Sequence, residues 1–135
     1  MKKQLRFDSA GTGRIAAVLW EPQAEPIGIV QIVHGIAEHG LRYEDFALYL
    51  NTLGYLVVAE DHMGHGASVE LGSVKGYFHG GWMAAVDDVC TLMRKTKEQY
   101  PRLPYVLFGH SMGSFIVPSA ILQKCSLFEK VFRPE

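Results

Sequence analysis

The chain has 135 residues, a formal net charge of −1 from 13 Lys and Arg against 14 Asp and Glu, and 48% apolar residues. This composition is ordinary for a globular protein and argues against a disordered or collagen-like chain. The balanced charge argues against a nucleic-acid-binding surface, and no apolar run is long enough for a transmembrane helix.

The first part of the chain predicts a hairpin, a buried strand and a helix. Two β-like runs at 3–8 and 14–20 flank a turn with two glycines, which is typical of an antiparallel hairpin. Residues 27–33 are apolar and rich in β-branched side chains, as expected of a strand buried on both faces of a parallel sheet. Apolar residues then recur at helical spacing over 43–53, and Gly54 follows as a helix-ending residue.

The rest of the chain continues this alternation of buried-type strands and amphipathic helices. In chain order the segments are a strand at 55–59, a Gly- and His-rich loop at 61–81, a helix over 82–100, a strand at 105–108 and a helix that begins near Ser111 and must tolerate Pro118. The alternation predicts an α/β fold in one domain, 1–135, with a mostly parallel sheet, an antiparallel N-terminal hairpin and helices on both faces.

Three polar segments follow the predicted parallel strands at the points where those strands end. They are 34–36, 61–66 and 109–113. Because the carboxyl ends of parallel strands meet at one edge of the sheet, we expect the three segments to lie close together. Active groups of α/β sheets form at that edge, so the sequence predicts a functional site there.

Segment 109–113, Gly-His-Ser-Met-Gly, matches the pattern G-x-S-x-G between a buried-type strand and a helix. In that context the pattern is typical of a nucleophile on a sharp strand-to-helix turn. The glycines remove side chains that would clash, and the turn exposes the Ser111 hydroxyl at a helix N-terminus, which favours developing negative charge. The alternative is a glycine-rich turn in which Ser111 only caps the helix.

Four segments, spread over about residues 5–124, together resemble one family. The chain is similar to the N-terminal half of an α/β-hydrolase of the monoacylglycerol lipase and lysophospholipase type. The matching segments, in the order and spacing of that family, are 33–39 with Arg42 and Tyr43, 60–66 with Ser68, Gly81 and Trp82 with Asp87 and Asp88, and 108–114.

The resemblance implies roles for five residues at the predicted site. Ser111 resembles the nucleophile, and the backbone amides of Met112 and Ile36 resemble the oxyanion hole, the pair of donors that holds the developing negative oxygen. Gly35 lets the backbone approach the substrate closely. His34 either contacts the substrate or orients the oxyanion loop through a backbone hydrogen bond, and the second role is favoured.

No metal and no other cofactor is expected. His62 and His65 have a metal-compatible spacing, but a structural role in holding the turn at Asp61 explains them better. Asp87 and Asp88 fall in the first half of a helix, where carboxylates favour the helix dipole.

The general base that a serine hydrolase needs is not evident. In this family the chain order is Ser, then Asp or Glu, then His, yet the residues after Ser111 contain no His and no Asp. The expectation is therefore a truncated hydrolase in which the lid, the later strands and two triad members are absent. Strand 105–108 would then be an exposed edge through which a second copy or a complementing chain associates.

Two functions follow from these expectations. The first is a serine hydrolase of small-molecule acyl esters, such as monoacylglycerols or lysophospholipids, that works through an acyl-enzyme and is inactive as this chain alone. A peptidase or a thioesterase is a close competitor. The second is a catalytically silent module that forms oligomers or binds a partner.

The chain has only two cysteines, Cys90 and Cys125. We expect both to be buried apolar side chains and expect no disulfide framework. So few cysteines also predict a cytoplasmic location.

Overall fold

The computed structural model describes residues 1–123 and 130–132, with side chains through residue 121. The strands are β1 (Lys2–Asp8), β2 (Arg14–Trp20), β3 (Gly28–Val33), β4 (Tyr55–Asp61), β5 (Tyr105–Gly109) and β6 (Lys130–Phe132). The helices are α1 (Glu44–Thr52), α2 (Gly81–Gln99) and α3 (Met112–Gln123), and two short 3-10 turns cover Gly40–Tyr43 and Gly66–Leu71.

The six strands form one sheet in the order β1-β2-β4-β3-β5-β6. The pairs β1/β2 and β2/β4 are antiparallel, whereas β3 pairs in parallel with both β4 and β5. Val30 of β3 lies opposite Val57 on one side and Val106 on the other. The predicted α/β fold, with its N-terminal hairpin and mostly parallel sheet, is confirmed.

Apolar side chains cover the sheet on both faces, as the unbroken apolar strands predict. One face packs against α2 and α3 through residues such as Leu56, Val89 and Ile116, all fully buried. The other packs against α1, where Ala47 joins Trp20 and related residues in a second cluster. This two-layer cover fixes the carboxyl edge of β3, β4 and β5 and with it the loops that carry polar residues.

The strand expected to be an exposed edge is paired on both sides. β6 lies parallel to β5, with Val106 opposite Lys130 and Phe108 opposite Phe132. The prediction that 105–108 is an open edge is therefore wrong, and association through that edge loses its basis. Lys130–Phe132, with its β-branched and aromatic residues, forms a strand after the α3 connection instead of an unpaired tail.

Three further expectations are settled by local structure. α3 continues through Pro118 and does not end in its first turns. Cys90 is fully buried on α2, as predicted, but its sulfur is disulfide-bonded, which corrects the expectation that disulfides are absent. Cys125 lies outside the described residues, and the cytoplasmic location stays a prediction. No helix within the described ranges has the length and apolarity needed to cross a bilayer.

Candidate active site

Ser111 stands in a strained turn between β5 and α3. Its φ is 56°, in the left-handed region that costs a residue with a Cβ about 1–2 kcal/mol. Its side chain is exposed, and the turn is held by a 2.9 Å hydrogen bond from the Gly113 amide to the His110 carbonyl. Strain of this kind persists only where the surroundings enforce it, and it is frequent at functional sites.

Glycine is required on both sides of Ser111 because the backbone is crowded there. A Cβ on Gly109 would lie 2.5 Å from the Gly113 carbonyl oxygen. A Cβ on Gly113 would overlap the carbonyl oxygen of Val33 at the end of β3. The His110 amide also donates to Val33 O at 3.2 Å. The turn therefore packs, backbone against backbone, on the loop that follows β3.

Gly35 lies at the contact between that loop and Ser111. A Cβ on Gly35 would come within 2.9 Å of the Ser111 Cβ and within 2.8 Å of a Glu38 oxygen. The amide of Gly35 donates to Oε2 of Glu38 at 2.7 Å. Ala37, two residues on, has a φ of 59°. The loop thus folds back tightly on itself beside the serine.

Glu38 is the anchor of this loop. Its side chain is nearly buried and accepts hydrogen bonds from the Tyr43 hydroxyl, with oxygen–oxygen distances of 3.0 and 3.2 Å. It also forms an ion pair with Arg42 at 2.9 Å. Nδ1 of His110 lies 3.4 Å from Oε2. Burial alone would raise the pKa of Glu38, but the bonds from Gly35, Tyr43 and His110 together lower it, so Glu38 is a carboxylate.

His34 is wholly buried, and both of its ring nitrogens are engaged. Nε2 accepts a hydrogen bond from the His62 amide at 3.0 Å, so the proton of the neutral ring resides on Nδ1. Nδ1 donates to the Gly35 carbonyl at 2.6 Å. Burial, together with the nearby His62, lowers the pKa of His34 to about 3. The burial and both hydrogen bonds of His34 are consistent with the predicted role of orienting the loop.

The hydrogen bond from His34 to the Gly35 carbonyl sets the orientation of the Ile36 amide. The Gly35 carbonyl and the Ile36 N–H belong to one trans peptide, in which the two groups point in opposite directions. Holding the carbonyl inward therefore turns the Ile36 N–H outward. Within the described residues, no hydrogen bond uses the amide of Ile36 or that of Met112.

The loop after β4 is held by Asp61. Its two carboxylate oxygens accept from the amides of Gly40 at 2.6 Å and Ala67 at 2.9 Å. His62 is fully buried and donates from Nε2 to the His34 carbonyl at 2.9 Å, while Nδ1 of His65 bonds to the Met63 carbonyl. The described part of the chain contains no group of three potential metal ligands.

A cavity of about 770 Å³ opens beside the Gly35–Glu38 loop. It runs between that loop and the loop after β4, and Ser111 is not part of its wall. The lining combines apolar and charged groups: Ile36, Glu38, Val69, Glu70, Lys75 and Phe78.

The described histidines supply no general base that is hydrogen-bonded to Ser111. All six histidines fall within the described residues, and none of them forms a hydrogen bond with the Ser111 hydroxyl. Both ring nitrogens of His34 face backbone groups, and Nδ1 of His110 faces Glu38.

A serine in a left-handed turn between a strand and a helix, at the carboxyl edge of a mostly parallel sheet, defines the class of the α/β hydrolases. The comparisons with known proteins agree. A family model described as serine aminopeptidase, S33, matches residues 24–131. The chain belongs to this α/β-hydrolase family.

Named relatives and solved structures extend the match. The chain is 40% identical over 97 residues to the monoglyceride lipase of Homo sapiens, covering 72% of this chain and 31% of that protein. It is 37% identical over 115 residues to the monoacylglycerol lipase of Mycolicibacterium smegmatis, covering 82% and 38%. A carboxyl esterase of Bacillus coagulans, solved with glycerol, superposes with a TM-score of 0.88 at 35% identity over 98% of this chain and 43% of that one. The chain thus spans less than half the length of these relatives.

Sequence reasoning missed two buried acids near the site. Asp88 was expected to serve a helix dipole, yet it is buried and accepts from the Ser9 hydroxyl and the Ala10 amide, both at 2.7 Å. Glu60, inside β4, is fully buried as well. The available signal was an acidic residue within an otherwise apolar strand, since a carboxyl group in such a run is seldom buried without a role.

Proposed function

We propose that this chain carries the nucleophile and the oxyanion hole of a carboxylic ester hydrolase that works through an acyl-enzyme. The observation that carries the proposal is the strained, exposed Ser111, which is followed by the Met112 amide and packs against Gly35, the residue before the Ile36 amide; no hydrogen bond among the described residues uses either amide. The relatives named as monoacylglycerol and monoglyceride lipases and as a carboxyl esterase favour an ester over an amide. We infer that monoacylglycerols or lysophospholipids are the substrates.

In the acylation step, the Ser111 Oγ attacks the ester carbonyl carbon while its proton passes to a general base. The carbonyl oxygen becomes negative, and the amides of Met112 and Ile36 donate to it. Each such donor is worth about 3 kcal/mol in the transition state. The base then gives the proton to the leaving alcohol oxygen, and the acyl group stays on Ser111.

In the deacylation step, water loses a proton to the same base and attacks the acyl carbon. The fatty acid leaves and the proton returns to Ser111. No histidine of the described residues forms a hydrogen bond with Ser111, so we propose that the base lies outside the described residues. The described residues then supply the groups that position the substrate and stabilise the oxyanion.

His34 and Gly35 act by positioning. His34 fixes the Gly35 carbonyl, which belongs to the peptide that carries the Ile36 N–H, and Glu38 fixes the N–H of the preceding peptide. Donors fixed in advance are worth more than mobile ones, because the site does not reorganise during the reaction. The absence of a Cβ on Gly35 lets this loop pack directly against Ser111.

The second candidate is a catalytically silent module that binds a partner. The lack of a base at Ser111 within the described residues favours it. In that case the strained turn at Ser111 would be kept from a hydrolase ancestor, and the chain would not hydrolyse esters.

Imidazole can take the place of the missing base and gives a direct test. We would measure hydrolysis of p-nitrophenyl butyrate and of a monoacylglycerol, with and without imidazole, for the wild type, Ser111→Ala and the matched control Ser119→Ala. Ser119 lies on the same helix and hydrogen-bonds Trp82 at 3.3 Å, away from the turn. A fluorophosphonate probe followed by peptide mass spectrometry identifies the labelled serine, and an aminoacyl p-nitroanilide tests the peptidase alternative.

The expected result is imidazole-dependent turnover and label on Ser111, both lost in Ser111→Ala and kept in Ser119→Ala. Equal rates for wild type and Ser111→Ala, with no label on Ser111 in the folded protein, would refute the hydrolase and leave the silent module. Faster cleavage of the anilide than of the esters would replace the esterase by a peptidase.

A further inference from the structure

Glu60 is a carboxyl group without a visible partner in the interior of the protein. It lies in β4, fully buried, and neither of its oxygens has a hydrogen-bond partner. A buried polar group without a partner costs about 1–3 kcal/mol, and more if it is charged. Such a group calls for a physical explanation.

One other side-chain nitrogen nearby shares this condition. Nδ1 of His62 is buried without a hydrogen-bond partner, and it lies 3.5 Å from Oε2 of Glu60. The two atoms are thus within reach of each other after a shift of a few tenths of an ångström. A single proton between them would satisfy both.

The bonds of His62 show which side of that pair donates. Nε2 of His62 faces the carbonyl oxygen of His34 at 2.9 Å, which is an acceptor, so Nε2 carries the proton. In the neutral ring Nδ1 is then a bare acceptor. A carboxylate beside it would set two lone pairs against each other, whereas a protonated carboxyl group would donate.

Charge favours the same assignment. Burial raises the pKa of Glu60 to about 8, and burial lowers the pKa of His62 to about 4. At neutral pH both groups are therefore uncharged. An imidazolium–carboxylate pair would hold the same number of protons, but two buried charges carry a desolvation penalty of several kcal/mol each.

We propose that Glu60, as an uncharged acid, is a positioning residue for the oxyanion loop: its hydroxyl donates to Nδ1 of His62 and fixes the His62–His34 pair. From His62, a chain of hydrogen bonds leads through His34 to Gly35. The His62 amide and Nε2–H hold the ring and the carbonyl of His34, and Nδ1–H of His34 holds the Gly35 carbonyl. The catalytic consequence, an Ile36 N–H held outward, rests on the proposed function.

The test compares Glu60→Gln, which keeps an uncharged donor, with Glu60→Leu and Glu60→Met, which have none. The control is Gln31→Leu, since Gln31 is equally buried on the adjacent strand but bonds to Tyr105 and the Val89 carbonyl. Long-range ¹H–¹⁵N spectra of labelled histidine report which ring nitrogens carry protons. Amide hydrogen exchange at His62 reports the bond to His34, and the rate of fluorophosphonate labelling reports Ser111.

Wild type and Glu60→Gln are expected to show one His62 tautomer, protonated on Nε2 only, with slow exchange of the His62 amide. In the two apolar variants we expect mixed tautomers and at least tenfold faster exchange, with Gln31→Leu like the wild type. A doubly protonated His62 in the wild type would overturn the proposal. So would tautomer and exchange unchanged in a folded apolar variant, or lost equally in Gln31→Leu.

The labelling measurement separates this proposal from the proposed function. If Ser111 reacts, labelling should be at least fivefold slower in the apolar variants and should return in Glu60→Gln. If Ser111 does not react in any protein, the hydrolase proposal fails, whereas the tautomer and exchange data decide the role of Glu60 alone.

Discussion

Oε2 of Glu38 lies 2.7 Å from the amide nitrogen of Gly35, three residues back in the chain. This one bond closes the loop after β3 into a tight turn and brings Gly35 against Ser111. Because Arg42 and Tyr43 bind the same carboxyl group, a single side chain ties the loop to the start of α1. The stability of the loop therefore depends on the charge of Glu38.

Glu38→Gln should destabilise the protein by about 2 kcal/mol at pH 7, since hydrogen bonds to a charged group contribute about 1.5–3 kcal/mol each. The free energy of unfolding in urea measures the loss. Glu44→Gln is the matched control, because Glu44 forms an exposed ion pair with Lys2 at 3.0 Å, and such pairs contribute about 0–1 kcal/mol. Equal losses in the two variants would show that Glu38 is an ordinary surface acid.

The same residue predicts a dependence of stability on pH. The pKa of Glu38 is lower in the folded protein than the value of about 4.3 in an unfolded chain. Its stabilisation is therefore complete above that unfolded value and is lost as the pH falls through the lower folded pKa. The difference in unfolding free energy between wild type and Glu38→Gln should shrink on acidification from pH 6 to pH 3. A constant difference would contradict this assignment.

Ala37→Gly should stabilise the protein by about 1 kcal/mol, because Ala37 has a φ of 59° that glycine adopts without steric cost. The melting temperature and the urea midpoint measure the gain. In the control Ala24→Gly, an exposed loop residue without positive φ, the greater freedom of the unfolded chain should give no gain. A loss at Ala37 as large as that at Ala24 would mean that the turn is not strained.

The sequence predicted the sheet well because its signals are strong and local. Unbroken apolar runs such as 27–33 have one stable environment, the middle of a parallel sheet covered on both faces. The elbow at Ser111 was predictable for a similar reason, since few backbones require glycine two residues before and two residues after a serine. These patterns depend on neighbours in the chain.

The bonds that connect the loops were harder to predict because their partners are distant in sequence. Nothing near Asp88 in the sequence indicates that it binds Ser9, almost eighty residues earlier. The pairing of β6 with β5 was missed because Val131 and Phe132 form a run too short to identify as a strand. Likewise, the burial of Glu60 depends on tertiary packing around β4, which the neighbouring sequence does not reveal.

Gly113→Ala should destabilise the protein by about 3 kcal/mol or more, because its Cβ would overlap the Val33 carbonyl oxygen, which is backbone and cannot move aside. Unfolding free energy and the fluorophosphonate label on Ser111 should both fall. Gly76→Ala separates overlap from backbone strain: Gly76 has a φ of 74° but open space around it, so the expected cost is only about 1–2 kcal/mol. Similar costs at both positions would mean that the contact with Val33 relaxes easily.

Asp88→Asn should reduce the loss of folding stability that the wild type shows as the pH rises from 4 to 7. Burial raises the pKa of Asp88 to about 7, above the value of about 3.9 in an unfolded chain. A raised pKa means that stability is complete below the unfolded value and is lost as the pH rises to the folded value. Between pH 4 and pH 7 this one group removes at most about 1.4 kcal/mol per pH unit.

Urea unfolding of wild type and Asp88→Asn across pH 4.5–8 measures this difference. Relative to wild type, the variant should gain stability as the pH rises to 7, because asparagine stays uncharged while Asp88 is forced to ionise in its buried site. Asp45→Asn is the control, since Asp45 is exposed in the first turn of α1. A profile for Asp88→Asn parallel to that of wild type would show that the bonds from Ser9 and Ala10 fully offset burial.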